Sequence, residues 1–372
     1  MSGPRLRAAY VVDSLGPGGT QRALTHLVRG LAGRGWEQTV IGLGDEDSPL
    51  VRGPLEAAGA RVLVLGKGAV ARGTGLVRLV AELRRARPDV ALTLLPWADV
   101  LGRPAAWLAG AGVVLSSVRA RNVDRPWWWF PLCRLTAPLA SRVVFNSREV
   151  VPFARAREGV RPGQVVYIPN GCAGAVLPRD RTALDAQGVP GDVPVVGSVG
   201  RLYAQKNHGL LLEALALGRG ALGRAHVVLA GAGPLRAALE AQAARLGLEG
   251  RVHLPGHVAD VSALLAGLDA YAQPSAFEGM SNSLMEAMAA GLPVVASAVD
   301  GNCELVEHGA SGLLVPPGDA PALAAALERV LDDRTLAAGL GRAAARRMAG
   351  NFSIEAMVAA YDALFRSLLA RG

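Results

Sequence analysis

Apolar residues follow two rhythms along this chain. In one they form short, nearly unbroken runs: Ala8–Asp13, Gln38–Leu43, Arg61–Leu65, Val90–Leu95, Val113–Ser117 and Arg142–Phe145 in the first half. The second half restarts the series with Val193–Val199, His226–Ala230, Val252–Leu254, Ala270–Gln273 and Val294–Ala296. Between runs, apolar positions return with helical period, as in Thr20–Ala32 and Leu76–Arg87. Unbroken apolar runs belong to strands covered on both faces, and their alternation with helices predicts parallel sheets. The expected fold class is α/β, with two doubly wound Rossmann-like domains in series. A Gly-, Pro- and Ala-rich stretch separates the two series. The expected division is 1–170, a linker over 171–192, a second domain over 193–350, and a C-terminal helix within 351–372. Helices Ala320–Leu331, Arg334–Met348 and Ser353–Ala370 close the chain. Ligands of doubly wound sheets sit beyond the carboxyl ends of the strands, so two facing sheets place the expected site in the cleft between them.

Composition narrows the function classes. At 372 residues the chain exceeds one ordinary core, and its 51% apolar content fills two. No run approaches the roughly 20 apolar residues of a membrane span, and Met1–Arg7 lacks a signal peptide's apolar stretch, so a cytoplasmic protein is expected. Three distant cysteines, Cys133, Cys172 and Cys303, suggest neither a disulfide framework nor a zinc site. Charge is uneven: residues 1–180 carry 24 Arg and Lys against 13 Asp and Glu, whereas residues 181–372 carry 15 against 18. An anionic partner is therefore expected at the first domain. Near its basic clusters lies Pro126–Trp127–Trp128–Trp129–Phe130–Pro131, flanked by Arg125 and Arg134. Trp beside Arg suits an anionic membrane surface, and core packing is the other reading. Nucleic acid is not expected, because no nucleic-acid motif appears.

Candidate chemistry concentrates in the second half. Pro274, Ser275 and Gly279 break the backbone after a strand, and Asn282 or Ser283 is placed to cap a helix bearing Leu284, Ala287 and Met288. This sets Glu278 before a helix N-terminus and Glu286 just inside it. Such a terminus suits phosphate, and the flanking carboxylates suit hydroxyls on either side, which describes a nucleotide-sugar. Ser283 and Glu286 also fit a capping box, which would give Glu286 a purely local role. Arg201 and Lys206 flank a turn before a helix, two cations at a spacing that can clamp a diphosphate. Lys206 is one of only two lysines in the chain. Gly231 and Gly233 form a glycine turn into a helix, a weak signal by itself. Gly16–Pro17–Gly18–Gly19–Thr20 joins the first strand to the first helix but matches neither a dinucleotide fingerprint nor a P-loop.

Taken in order, these motifs resemble family 4 retaining glycosyltransferases of the GT-B fold. The match runs from Gly18-Gly19 through Asn170-Gly171, Gly200-Arg201…Lys206-Asn207-His208, Ala230–Pro234, Leu254–His257 with Asp260, and Pro274…Glu278-Gly-Met…Glu286-Ala-Met to Gly301-Asn302…Pro316. The resemblance implies that Arg201 and Lys206 bind the donor's diphosphate and Glu286 its ribose. It also implies that Glu278, with Gly279, Met280, Ser281 and Asn282, positions the donor sugar. Gly18, Gly19, Gly231 and Gly233 would line the donor site, and the C-terminal helix would return to the first domain. Transfer would proceed with retention, needing no metal and no cofactor beyond the nucleotide-sugar itself. The acceptor would be a lipid-linked species or a glycan in bacterial surface polysaccharide or glycolipid synthesis, handled by a peripheral protein at the inner membrane face. One departure stands out: Ser116–Asn122 lacks the His that many members carry there. Arg119 or Asn122 is the expected substitute on the acceptor side. A nucleotide-sugar 2-epimerase of the same fold is the alternative reading.

Overall fold

The computed structural model describes residues 5–68, 74–123 and 125–370, so Met1–Pro4 lie outside it. The chain forms two units: residues 1–171 with 354–372, and residues 172–353. The segment after residue 171 belongs to the second unit, where a short helix, Thr182–Asp185, inserts Leu184 into the core.

The first unit holds seven parallel strands: β1 Arg7–Val12, β2 Glu37–Gly42, β3 Arg61–Val64, β4 Val90–Leu94, β5 Val113–Val118, β6 Arg142–Phe145 and β7 Val165–Tyr167. Their order is β3-β2-β1-β4-β5-β6-β7. β1 lies between β2 and β4, with Val12 opposite Gly42 on one side and Leu94 on the other. All five positions of β4 are buried, as a strand covered on both faces requires. Helix Ile354–Leu369, which follows the second unit in sequence, packs here. Phe365 meets Trp36 edge-to-face at 5.5 Å, and Trp36 Nε1 donates to Asp362 at 2.7 Å. Val358 sits so close to Gly30 that a Cβ there would lie 2.5 Å from it.

The second unit has six parallel strands: β8 Val195–Val199, β9 His226–Ala230, β10 Val252–Gly256, β11 Ala270–Gln273, β12 Val294–Ser297 and β13 Leu313–Val315. Their order is β10-β9-β8-β11-β12-β13. In each sheet the strand order reverses once, between β1 and β4 in the first and between β8 and β11 in the second. At such a reversal the two loops leave in opposite directions and open a crevice at the strand ends.

Several expectations shift. The strand expected from Val193 begins at Val195, and the short strands β7 and β13 were not anticipated. Neither was helix Pro96–Leu108, which opens on one proline and contains another, Pro104. The aromatic cluster divides: Trp129 is buried edge-on against Phe130, whereas Trp127 is 81% exposed and Trp128 is also exposed.

Candidate active site

The β8–β11 reversal brings together most of the predicted donor-site residues. The loop after β8 carries Arg201 and Lys206, and the loop after β11 carries Glu278 through Ser281. The two are tied by backbone, with Ala276 N donating to Gln205 O at 2.9 Å. They are also tied by charge: Lys206 Nζ donates to Glu278 Oε1 at 2.5 Å. Glu278, only 6% exposed, also accepts from Ser275 Oγ at 2.8 Å, Gln273 Nε2 at 3.2 Å and Gln205 Nε2 at 3.5 Å. A buried carboxylate needs such partners. An ammonium has three N–H donors, so Lys206 can hold Glu278 with one and still offer others to an anion.

Glycines set the backbone of these loops. Gly231 adopts φ +151°, and a Cβ there would lie 1.9 Å from Gly200 O. A Cβ on Gly233 would lie 2.4 Å from Leu202 O. The Gly-x-Gly turn after β9 thus lets the Arg201 loop rest on it, with Leu202 N donating to Ala232 O at 2.9 Å. Gly279 packs in the same way: its carbonyl would meet a Cβ on Gly301 at 1.5 Å.

The helix carrying Glu286 spans Asn282–Ala289 and is capped by Ser281, whose Oγ accepts from Leu284 N at 3.4 Å. The cap is therefore neither Asn282 nor Ser283. Both Ser283 and Glu286 lie inside the helix, so no capping box forms at that pair, and Glu286 stands one turn into the helix. Met280 is buried beneath the loop.

Sequence reasoning passed over the residue that organises this site. Gln273, fully buried at the end of β11, donates from Nε2 to Ser275 and Glu278. Its Oε1 accepts from Tyr271 OH at 3.0 Å, Ser281 Oγ at 3.3 Å and Ser283 Oγ at 3.4 Å. One amide thus links the strand, the Glu278 loop and the helix cap. The available signal was a glutamine closing an apolar strand immediately before Pro274. His208 is buried, and burial and then Lys206 push its pKa down to about 4. It is a neutral core residue, whereas His257 is exposed. Asp260 caps helix Val261–Gly267 through Ala263 N.

The remaining predicted residues lie in the first unit. Gly18 is the extended residue before helix Gly19–Ala32. Arg119 donates to Ser117 Oγ at 3.1 Å, Asn170 Oδ1 at 2.5 Å and Tyr361 OH at 3.4 Å, clamping β5 to the Ile354–Leu369 helix. Asn122 donates to Glu158 at 2.8 Å, and burial pushes that carboxyl up to about 7. At the β1–β4 reversal Asp13 accepts from Ala98 N at 2.7 Å, and burial raises its pKa to about 6. Among the described residues no group of three or more His, Cys, Asp or Glu is arranged to hold a metal, and no helix is long and apolar enough to cross a membrane.

Two doubly wound units, with a cation–carboxylate cluster at the strand reversal of the second, define a glycosyltransferase fold of GT-B type. The chain is similar in fold to Anabaena Alr3699/HepE in complex with UDP and glucose, with a TM-score of 0.86 at 24% identity, covering 98% of this chain and 100% of that one. Residues 193–333 match the model of glycosyl transferases group 1, and residues 18–171 match a glycosyl transferase 4-like domain. The lipopolysaccharide core biosynthesis glycosyltransferase LpsE of Rhizobium meliloti (strain 1021) is 31% identical over 360 residues, covering 94% of this chain and 96% of the relative. The UDP-Gal:alpha-D-GlcNAc-diphosphoundecaprenol alpha-1,3-galactosyltransferase of Escherichia coli is 28% identical over 277 residues, covering 70% and 71%. The chain belongs to the group 1 glycosyltransferases. These relatives lend the 2-epimerase alternative no support.

Proposed function

We propose that this glycosyltransferase moves a sugar from a nucleoside-diphosphate donor to a lipid-linked or glycan acceptor in the assembly of a bacterial surface polysaccharide or glycolipid. The observation that carries this reading is the Lys206–Glu278 pair at the β8–β11 reversal, with Arg201 on the same loop and Glu286 one helical turn beyond the cap. Arg201 and Lys206 bind the diphosphate and stabilise the charge that grows on it as it departs. They supply the positive charge that a divalent cation supplies in metal-dependent transferases, so the reading requires neither metal nor cofactor. Glu278 and the backbone of Gly279–Ser281, with Asn282, orient the donor sugar, and Glu286 takes the ribose. Gly231 and Gly233 shape the phosphate loop. Gly18, Gly19, Arg119 and Asn122 serve the first unit's side of the reaction.

Retention of configuration is supported by the E. coli relative, named for an α linkage formed from UDP-galactose, an α-linked donor. The lipopolysaccharide and diphosphoundecaprenol relatives support the acceptor class. A cytoplasmic location, peripheral to the inner membrane face, is supported by the basic surplus of residues 1–180 and by exposed Trp127 and Trp128.

Calorimetry with a panel of nucleotide-sugars and nucleoside diphosphates, in the presence of a chelator, tests the donor site. Wild type is expected to bind one donor family in the micromolar range and Lys206→Ala to lose it. Binding that persists unchanged in the variant removes Lys206 from the site, and binding that requires an added metal overturns the metal-free reading.

A further inference from the structure

Helix Thr74–Ala86 buries Leu79 and Leu83 against the first unit and turns a second stripe outward. Leu76, Val80 and Arg84 form one row at helical spacing, and Val77, Ala81 and Arg85 form the next. Each row is apolar along most of its length and ends in an arginine. Val77 is 70% exposed. With Arg7, Arg87 and Leu108 these residues line an open groove of about 800 Å³. The groove has four arginines and no carboxylate. Arg85 pairs with the neighbouring Glu82 at 2.8 Å, and Arg84 donates to Leu108 O at 3.2 Å. Trp107, beside Leu108, is exposed as well.

No role assigned above uses this groove. Arg7 opens β1 and Arg87 precedes β4, so the groove lies at the amino ends of the strands, the far side of the first sheet from Asp13. An exposed apolar patch rimmed by charge marks a surface that something covers. A neutral protein face would add no counter-charge to four arginines of which Arg85 alone has a carboxylate partner among the described residues, and a purely ionic ligand would leave the apolar rows wet. The complementary occupant is anionic at one end and hydrocarbon at the other.

We propose that this groove receives an anionic phospholipid of a bilayer, its phosphate among Arg84, Arg85 and Arg87 and its upper acyl chain along Leu76, Val77 and Val80. Basic residues and exposed apolar residues together form the two-signal anchor that reversible membrane binding requires. The inference rests on the membrane association proposed above, but puts the docking site at this groove, not at Trp127 and Trp128, and names the class of lipid. It also fixes which end of the first unit meets the bilayer.

Co-sedimentation of the full chain with phosphatidylcholine vesicles, with and without phosphatidylglycerol, tests it. Wild type is expected to bind only the vesicles containing phosphatidylglycerol. The triple variant Arg84→Gln, Arg85→Gln, Arg87→Asn should lose at least about tenfold in apparent affinity. Asn is chosen at 87 because the backbone there has φ +44°, which Asn tolerates. The variant Leu76→Ser, Val77→Ser removes the apolar half without touching charge and should weaken binding severalfold. If both groove variants bind like wild type while Trp127→Ser, Trp128→Ser does not, the groove is not the docking site and the membrane reading stands. If wild type binds neither vesicle, both readings fall. Equal binding to both vesicles overturns the anionic headgroup. Unchanged circular dichroism and melting temperature in every variant show that the losses are local.

Discussion

At the strand ends of the second unit Glu278 meets a lysine and three neutral donors, whereas in the first unit Glu158, also buried, accepts from Asn122 as its one hydrogen-bond donor among the described residues. The sheets that present them share one topology, and both carboxyls are withdrawn from water. The difference lies in the loops. Around Glu278, two strand-end loops and a glutamine converge and supply donors to both carboxyl oxygens. Around Glu158, desolvation dominates, and the proton is retained to about pH 7. A buried acid therefore means different things in the two units: a carboxyl held in place by donors from two loops in one, a pH-dependent stability element in the other.

The sharpest way to break this comparison is to remove the lysine. Lys206→Ala is expected to lower kcat/KM for transfer by about 100–1,000-fold, the usual effect of losing one donor at a developing charge. It should also lower the melting temperature, because Glu278 loses its counter-ion. The double variant Lys206→Met, Glu278→Gln should regain much of that stability and none of the activity. If the double variant is no more stable than Lys206→Ala, the pair is not coupled as described.

Next comes Glu158. Its folded-state pKa of about 7 exceeds the ordinary 4.5, so between these pH values the native state holds a proton that the unfolded chain has released. Stability is therefore complete below pH 4.5 and declines as pH rises toward 7, by about 3 kcal/mol in all. Glu158→Gln should flatten that decline in urea titrations across the window. A profile as steep as wild type would reassign the slope to Asp13, which burial also raises, to about 6.

The smallest effect tests the hub. Gln273→Leu keeps the side chain's bulk but removes its own bonds to Glu278, Ser275 and Ser281. Transfer is expected to slow by about 10–50-fold, mainly in kcat, as for a misaligned group. An unchanged kcat would reduce Gln273 to packing.

Much of this architecture was legible in sequence because parallel strands are apolar throughout. β6, β9 and β11 coincide with their runs, and most others differ by a residue or two. β7 and β13 were missed since each has three residues, too few for a period, with prolines close by. Helix Pro96–Leu108 was hidden by its two prolines. Within the site, Arg201, Lys206, Glu278 and Glu286 could be chosen because charged residues beside turns are conspicuous. Gln273 could not, because its importance lies in five partners at residues 271–283 that meet one amide only once the turn after β11 has folded. The cap at Ser281 rather than Asn282 or Ser283 turned on one residue of backbone geometry, finer than propensity resolves.

Helix Ile354–Leu369 has a consequence for biosynthesis. Its Met357, Tyr361 and Phe365 complete the core of a unit whose sheet is finished by Tyr167. During translation at about 5–20 residues per second, the first unit waits roughly 10–40 seconds for its missing wall while the second is made. Over that interval the apolar surface beside Leu27, Val28 and Trp36 lies open, the kind of surface that chaperones bind. The second unit, contiguous in sequence, has no such delay. A ribosome that stalls between residues 172 and 353 would thus release a chain whose first unit lacks its closing helix however much of the second has been made.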